Sequence, residues 1–215
     1  MNQNNFIPRK FKNIETNEIV DFEEVVNSSN ISVILGEPAS GKTFQLKEYS
    51  KNKNSKLFLL KMLSEYNKKV IKQYDIILLD SIDEALLRTK DDDILIQRLV
   101  NFIQKYKNKN FVITCRYLEW KEDFEEKLKE IDNELKVYDI QELSKEDINS
   151  LLKNDDIDIF WNFIEKNHLQ LLLKNIMIVK YLTDNFKEYN QKENINYTDI
   201  YKKIIEQSIS LKGEN

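Results

Sequence analysis

Apolar positions along the first two-thirds of the chain alternate between two rhythms. Short, nearly continuous apolar runs at 31–35 (ISVIL), 56–60 (KLFLL), 75–80 (DIILLD), 110–115 (NFVITC) and 135–140 (LKVYDI) have the length and branched-residue content of buried strands. Between them, 42–52, 62–73, 91–107 and 117–131 carry helical spacing, and in the third of these Ile94, Leu95, Leu99, Phe102, Ile103 and Tyr106 share one face. The alternation predicts strand–helix units that build a parallel sheet of five strands with four crossovers. Past about residue 142 the strand rhythm stops, and 144–153, 156–167, 169–187 and 197–212 all read as helices. Ser144 followed by Asp147 has the form of an acidic capping box, and Asn196 or Thr198 is placed to cap the last helix. The pattern therefore predicts an N-terminal segment, 1–24, lying against an α/β domain at 25–142, and a small all-helical domain at 143–215. Fraying is expected at 1–5 and 213–215.

Composition narrows the function classes. Hydrophobic residues make up 41% of the 215 residues, enough for one full α/β core and a smaller appendage, not two large domains. Acidic residues number 37 against 33 basic ones, with both signs interspersed, so no nucleic-acid footprint is present. A single cysteine, Cys115, makes no internal disulfide, and the N-terminus lacks the layout of a secretory signal, so a reducing, cytoplasmic setting is expected. The most apolar stretch, 169–182, is broken by Lys174 and Lys180 and is too short to span a bilayer. With three glycines in the whole chain, the place of each one carries information.

Two of those glycines bound Gly36-Glu37-Pro38-Ala39-Ser40-Gly41-Lys42-Thr43, which fits G-x-x-x-x-G-K-[ST] and sits between an apolar strand and a helical segment. The spacing has a chemical reason. Successive backbone N–H groups must point inward around a phosphate, and a helix beginning near Lys42 adds its positive end. Lys42 would reach the β- and γ-phosphates and Thr43 would ligate Mg²⁺. ATP or ADP, or a closely related purine nucleotide, is the expected ligand, with Phe44 closing the binding set at the start of the helix.

A second constellation, Ile76 to Leu79 followed by Asp80-Ser81-Ile82-Asp83-Glu84, places a carboxylate at the carboxyl end of a buried strand, where α/β sheets bind ligands. Asp80 there suits a hydrated Mg²⁺, which takes few carboxylates and keeps its waters. Asp83 and Glu84 either polarise an attacking water or cap and solvate the start of a helix. A third strand ends in Thr114-Cys115-Arg116. The planar guanidinium of Arg116 is suited to a γ-phosphate, the alternative being a surface or capping role. Cys115 reads as a small buried residue, the lone His168 as structural or solvent-facing, and Trp120 and Trp161 as packing residues.

Taken in order, Gly-Glu-Pro-Ala-Ser-Gly-Lys-Thr, Leu-Leu-Asp-Ser-Ile-Asp-Glu-Ala and Ile-Thr-Cys-Arg with Trp120 four residues on resemble the NACHT branch of the STAND NTPases, over roughly residues 25–190. The resemblance implies a three-layer P-loop fold with its five parallel strands in the order 5-1-4-3-2, and a following helical domain that starts at Val137–Ile148. It implies Arg116 as the sensor of the terminal phosphate. Phe6-Ile7-Pro8-Arg9 resembles an N-terminal segment that lies along the nucleotide, which adds Arg9 to the binding set. This chain has Ser81 where glycine is usual, and Ile176 where a proline often packs near the adenine. The implied activity is a low-turnover ATPase that acts as a regulatory switch, ADP closed and ATP open, in signalling or defence. Its partners would be further copies of itself, or effector and sensor domains of a larger protein of which this chain is a piece or a minimal relative.

Other classes stay open. A ring-forming AAA+ motor shares the strand order and the helical domain, yet expects a second phosphate-directed arginine, and no arginine follows Arg116. A small-molecule kinase wants an arginine-bearing lid, which four arginines scarcely supply. In a GTPase the segment Asn108-Lys109-Asn110-Phe111 would need Asp in place of Phe111. A nucleotide-binding module that does not hydrolyse is the fourth alternative.

Overall fold

In the computed structural model, which describes residues 6–51, 54–59, 68–80, 82, 92–189 and 197–210, the chain divides into two units. One spans Pro8–Gln141; the other begins at Glu142 and is grouped with the residues up to Ile7.

The Pro8–Gln141 unit opens with a short hairpin, β1 (Phe11–Asn13) and β2 (Ile19–Val20). Its turn is made by Asn13, whose Oδ1 accepts from the backbone N–H of Glu15 at 2.9 Å and of Thr16 at 3.0 Å, while Asn17 takes the left-handed φ of 61°. Helix α1 (Phe22–Asn27) follows, started by a reciprocal capping box between Asp21 and Glu24. Then come β3 (Ile31–Leu35), α2 (Lys42–Tyr49), β4 (Ser55–Leu59), α3 (Lys68–Ile71), β5 (Ile76–Asp80), α4 (Asp92–Lys105), β6 (Asn110–Cys115), α5 (Glu122–Lys129) and β7 (Lys136–Ile140). A single 3₁₀ turn, Tyr117–Glu119, precedes α5, so the helix predicted over 117–131 begins later than its pattern.

Among the described residues the strands form one mixed sheet of seven, in the order β2-β1-β7-β3-β6-β5-β4. This corrects the expectation of a five-stranded, wholly parallel sheet. The strands from β3 to β7 pair in parallel, for example Ile31↔Phe111 through Leu35↔Cys115. The two additional strands pair antiparallel, β1 meeting β7 through Phe11↔Ile140, Lys12↔Asp139 and Asn13↔Tyr138. Without them β7 would be an open edge, so the hairpin of β1 and β2 covers a backbone row that could otherwise pair with another chain. Strands of three and two residues are too short for a periodicity to reveal.

Side-chain alternation gives the sheet two apolar faces. Ile31, Val33, Leu35, Ile77, Leu79, Phe111, Ile113 and Cys115 pack with α4 and α5 through Leu95, Leu99, Ile103, Phe124 and Leu128. On the opposite face Ile34, Leu78, Val112, Tyr138 and Ile140 pack with α1 and α2 through Val25, Val26 and Leu46. The result is a three-layer α/β unit. Trp120 packs edge-on to Phe124 and donates Nε1–H to Glu125 at 2.9 Å, a packing role as its spacing indicates.

The second unit has its own core, in which Ile148, Phe160, Phe163, Ile164, Leu182, Phe186 and Ile200 are buried. Helix α6 (Lys145–Asn149) starts with the capping box foreseen at Ser144 and Asp147. Helix α7 (Ile157–Lys166) ends in a Schellman arrangement: His168 N–H donates to Glu165 O and Leu169 N–H to Ile164 O. His168 supplies the left-handed residue there, φ 54°, at an exposed position, in line with the structural reading of the lone histidine. The segment predicted as one helix over 169–187 is instead a 3₁₀ stretch, Gln170–Lys174, and α8 (Ile176–Tyr189). Asn175 makes the break, its Oδ1 accepting from Met177 N–H at 2.9 Å. Helix α9 (Tyr197–Ser210) follows. Among the described residues no helix is long and apolar enough to cross a membrane.

The start of β3 depends on a distant carboxylate. Asp132, 8% exposed, accepts from Ile31 N–H at 3.0 Å through Oδ2 and from Glu134 N–H at 3.1 Å through Oδ1. Asp132→Ala is expected to lose about 1–3 kcal/mol in denaturant unfolding, because the buried Ile31 N–H is left without an acceptor, with Asp132→Asn losing less. An unchanged midpoint in the Ala variant would show that this bond does not hold the strand.

Candidate functional site

Strand β3 lies between β6 and β7, so the chain order reverses at β3, and α/β sheets bind ligands outside the carboxyl ends of the strands at such a reversal. The loop leaving β3 fills that place. Gly36 is required by space: a Cβ built on it would lie 2.3 Å from Ile140 Cγ2 on β7 and 3.0 Å from Ser40 Oγ. Beyond it Ser40 N–H donates to Glu37 O at 3.2 Å, and Ala39 and Gly41 have φ of 60° and 100°. Glu37 and Pro38 are exposed on the outside of the turn, and Ala39 and Ser40 are half-buried. Left-handed residues of this kind turn successive N–H groups to one side, the geometry of an anion-binding nest. Gly41 is also the N-cap of α2 and offers no side-chain acceptor to the first N–H groups of the helix.

The Lys42 ammonium folds back across this loop, donating to Gly36 O at 2.5 Å, Glu37 O at 2.9 Å and Ser40 Oγ at 3.4 Å. Thr43 turns the other way, its Oγ1–H donating to Asp80 Oδ1 at 3.2 Å. Asp80, 2% exposed, receives a second and shorter bond on the same oxygen, from Thr114 Oγ1–H at 2.7 Å. The sheet register makes the pair neighbours. Leu79 is opposite Ile113, so the next residues, Asp80 and Thr114, share the α2 face. Thr114 was visible in the sequence only as part of a strand end; a hydroxyl inside an otherwise apolar run was the signal, since a buried hydroxyl needs a partner.

Arg116 follows β6 with extended φ and ψ of −88° and 158°, so alternation continues past Cys115. Cys115 is buried in the α4 and α5 core, and Arg116, half-buried, falls on the face that carries Asp80 and Thr114. Next to it the Tyr117 hydroxyl donates to Asp139 Oδ1, joining the ends of β6 and β7. Partial burial holds the Asp139 carboxyl above the usual range, with Gln141 and Lys12 opposing. Arg9, buried, is fixed at α2 from the N-terminal side: its N–H donates to Gln45 Oε1 at 3.2 Å and its guanidinium Nη2–H to Gln141 O. Phe44 is half-buried on α2. Asp83 and Glu84, with Ser81, lie outside the described residues, whereas Ile82 is buried in the core.

The donor set fits Mg²⁺. One carboxylate and one hydroxyl converge, and no cluster of three or more His, Cys, Asp or Glu capable of holding a metal occurs among the described residues. A cation bound here would complete its shell with phosphate oxygens and water, which Mg²⁺ prefers to an all-protein cage.

The Gly36 contact is testable without ligand. Gly36→Ala is expected to cost about 1–3 kcal/mol of stability through overpacking against Ile140. Combined with Ile140→Ala it should show a favourable coupling of about 1 kcal/mol or more in a double-mutant cycle by denaturant unfolding. Additive losses would mean that the two residues do not compete for the same space.

No curated protein matches the chain. The family model described as novel STAND NTPase 3 matches residues 14–156, a span that holds the Gly36–Thr43 loop, Asp80, Thr114 and Arg116. With more than half of its length matched, the chain belongs to the STAND NTPases, in the family novel STAND NTPase 3.

Proposed function

We propose that the protein binds ATP and ADP with Mg²⁺ at the Gly36–Thr43 loop, hydrolyses ATP slowly, and acts as a regulatory switch set by which nucleotide is bound. The observation that carries this reading is the 3.2 Å approach of Thr43 Oγ1 to the buried Asp80. It joins a loop shaped for phosphate and a carboxylate shaped for a hydrated cation into one site. Lys42 has three donors, which it can transfer from the Gly36 and Glu37 carbonyls to β- and γ-phosphate oxygens. Thr43 and Asp80 would hold the cation, which when bound neutralises phosphate charge. Asp83 and Glu84 are assigned to positioning the attacking water, on their place in sequence after Asp80. Arg116, on the Asp80 face, is assigned to the γ-phosphate.

The motif order and the strand-end arginine support a NACHT-like arrangement within the STAND class, and the class supports a signalling or defence role in the cytoplasm. The output would be nucleotide-dependent self-association or a change passed to attached effector and sensor domains. Single-turnover hydrolysis separates this reading from a binding module that does not hydrolyse.

Lys42→Ala is expected to abolish most of the thermal stabilisation by Mg-ATP. A ligand at one hundred times its Kd contributes about 2.7 kcal/mol to the folded state, and a variant that no longer binds gains none of it. Equal stabilisation of parent and variant would remove the nucleotide from this loop.

Arg116→Ala is expected to weaken a slowly hydrolysed ATP analogue by about tenfold to a hundredfold, the worth of one charge-assisted contact, and to leave ADP affinity nearly intact. A ligand shifts a conformational equilibrium only by its differential affinity for the two states, and the γ-phosphate is the chemical difference available. Isothermal titration with both nucleotides decides it, and equal losses would make Arg116 a structural residue.

A further inference from the structure

The double hydrogen bond on Asp80 Oδ1 has more in it than packing. Thr43 and Thr114 approach that single oxygen from α2 and from β6, and Thr114 is the shorter at 2.7 Å and itself 1% exposed. A carboxylate turns about its last bond with little resistance, so one donor leaves its plane free to rotate while two donors from different elements fix it. Oδ2 accepts from no described residue. Thr43 can serve a cation only while its own proton is engaged elsewhere, and Asp80 Oδ1 is where that proton goes. Thr114, held by the sheet register with Leu79 opposite Ile113, keeps Oδ1 at the position where it can accept that hydrogen bond.

We infer that Thr114 is a positioning residue for the metal: by pinning Asp80 Oδ1 it orients Oδ2 toward metal-bound water and the Thr43 lone pairs toward the cation, and so sets the Mg²⁺ affinity of the nucleotide site. This rests on the nucleotide reading given above. The Thr114 hydroxyl donates to Asp80 Oδ1. Its effect passes through Asp80 and Thr43, so it belongs to the Mg²⁺ dependence of binding and not to nucleotide affinity as such. Outer partners of metal ligands change metal affinity by about tenfold to a hundredfold when removed.

The test is isothermal titration of parent, Thr114→Val and Thr114→Ser with a slowly hydrolysed ATP analogue over a MgCl₂ series, and with ADP in EDTA. Thr114→Val keeps the shape and removes the donor. It is expected to raise the Mg²⁺ concentration for half-maximal gain in affinity by about tenfold, leaving ADP binding in EDTA within about twofold of the parent. Thr114→Ser, which keeps the hydroxyl, is expected to follow the parent. The proposal is overturned alone if the parent binds and Thr114→Val shows the parent's Mg²⁺ dependence, if its loss is equal in EDTA, or if Thr114→Ser behaves like Thr114→Val. A parent that binds neither nucleotide overturns the nucleotide reading together with the proposal.

Discussion

Asp80 is carried into the interior by a strand whose preceding residues are apolar, and a carboxylate there is costly to bury unless hydrogen bonds replace the water it has lost. The bonds come from two hydroxyls, Thr43 and Thr114, that reach one oxygen. That requirement ties three elements together at one point: α2 through Thr43, β5 through Asp80 and β6 through Thr114. Much else follows from it. The register of β5 on β6 must bring Leu79 to Ile113, α2 must lie on the even-numbered face of the sheet, and the loop before α2 must turn tightly enough to deliver Thr43.

The tightness of that turn is set by β7 as much as by the loop. Ile140 occupies the space where a side chain at position 36 would go, so the glycine is demanded by a neighbour more than a hundred residues away in sequence. Gln141, one residue further on, receives the guanidinium of Arg9, and Arg9 in turn holds Gln45 on α2. Within the Pro8–Gln141 unit, then, α2, the segment before β1 and the residue that follows β7 are fastened to one another. Tyr117 makes a similar tie from the end of β6 to Asp139 on β7.

Local signals made most of this legible. The Gly36–Thr43 pattern, the apolar run ending in Asp80 and the strand ending in Arg116 are each written in consecutive residues, and so are the capping box at Ser144 and the helical rhythm after residue 142. What the sequence did not show are relations between distant residues. Strands β1 and β2 owe their existence to the open edge of β7, not to any pattern in five residues. The acceptance of Ile31 N–H by Asp132 depends on where the turn before β7 lies, and that of Thr114 by Asp80 on register, and no local periodicity encodes either. Asn175 was hidden for a related reason: within an apolar helical stretch its side chain competes for backbone N–H groups and starts a new helix.

In the proposed reading the Gly36–Thr43 loop and the Asp80 carboxylate form a single Mg-nucleotide site. Its most direct test is a crystal grown with a slowly hydrolysed ATP analogue and Mn²⁺ in place of Mg²⁺, with anomalous scattering used to locate the ion. The expected result is one strong peak within coordinating distance of Thr43 Oγ1, separated from Asp80 by no more than a water molecule, and β- and γ-phosphates inside the Gly36–Thr43 loop. A nucleotide bound elsewhere, or a metal peak remote from Thr43 and Asp80, would contradict the account.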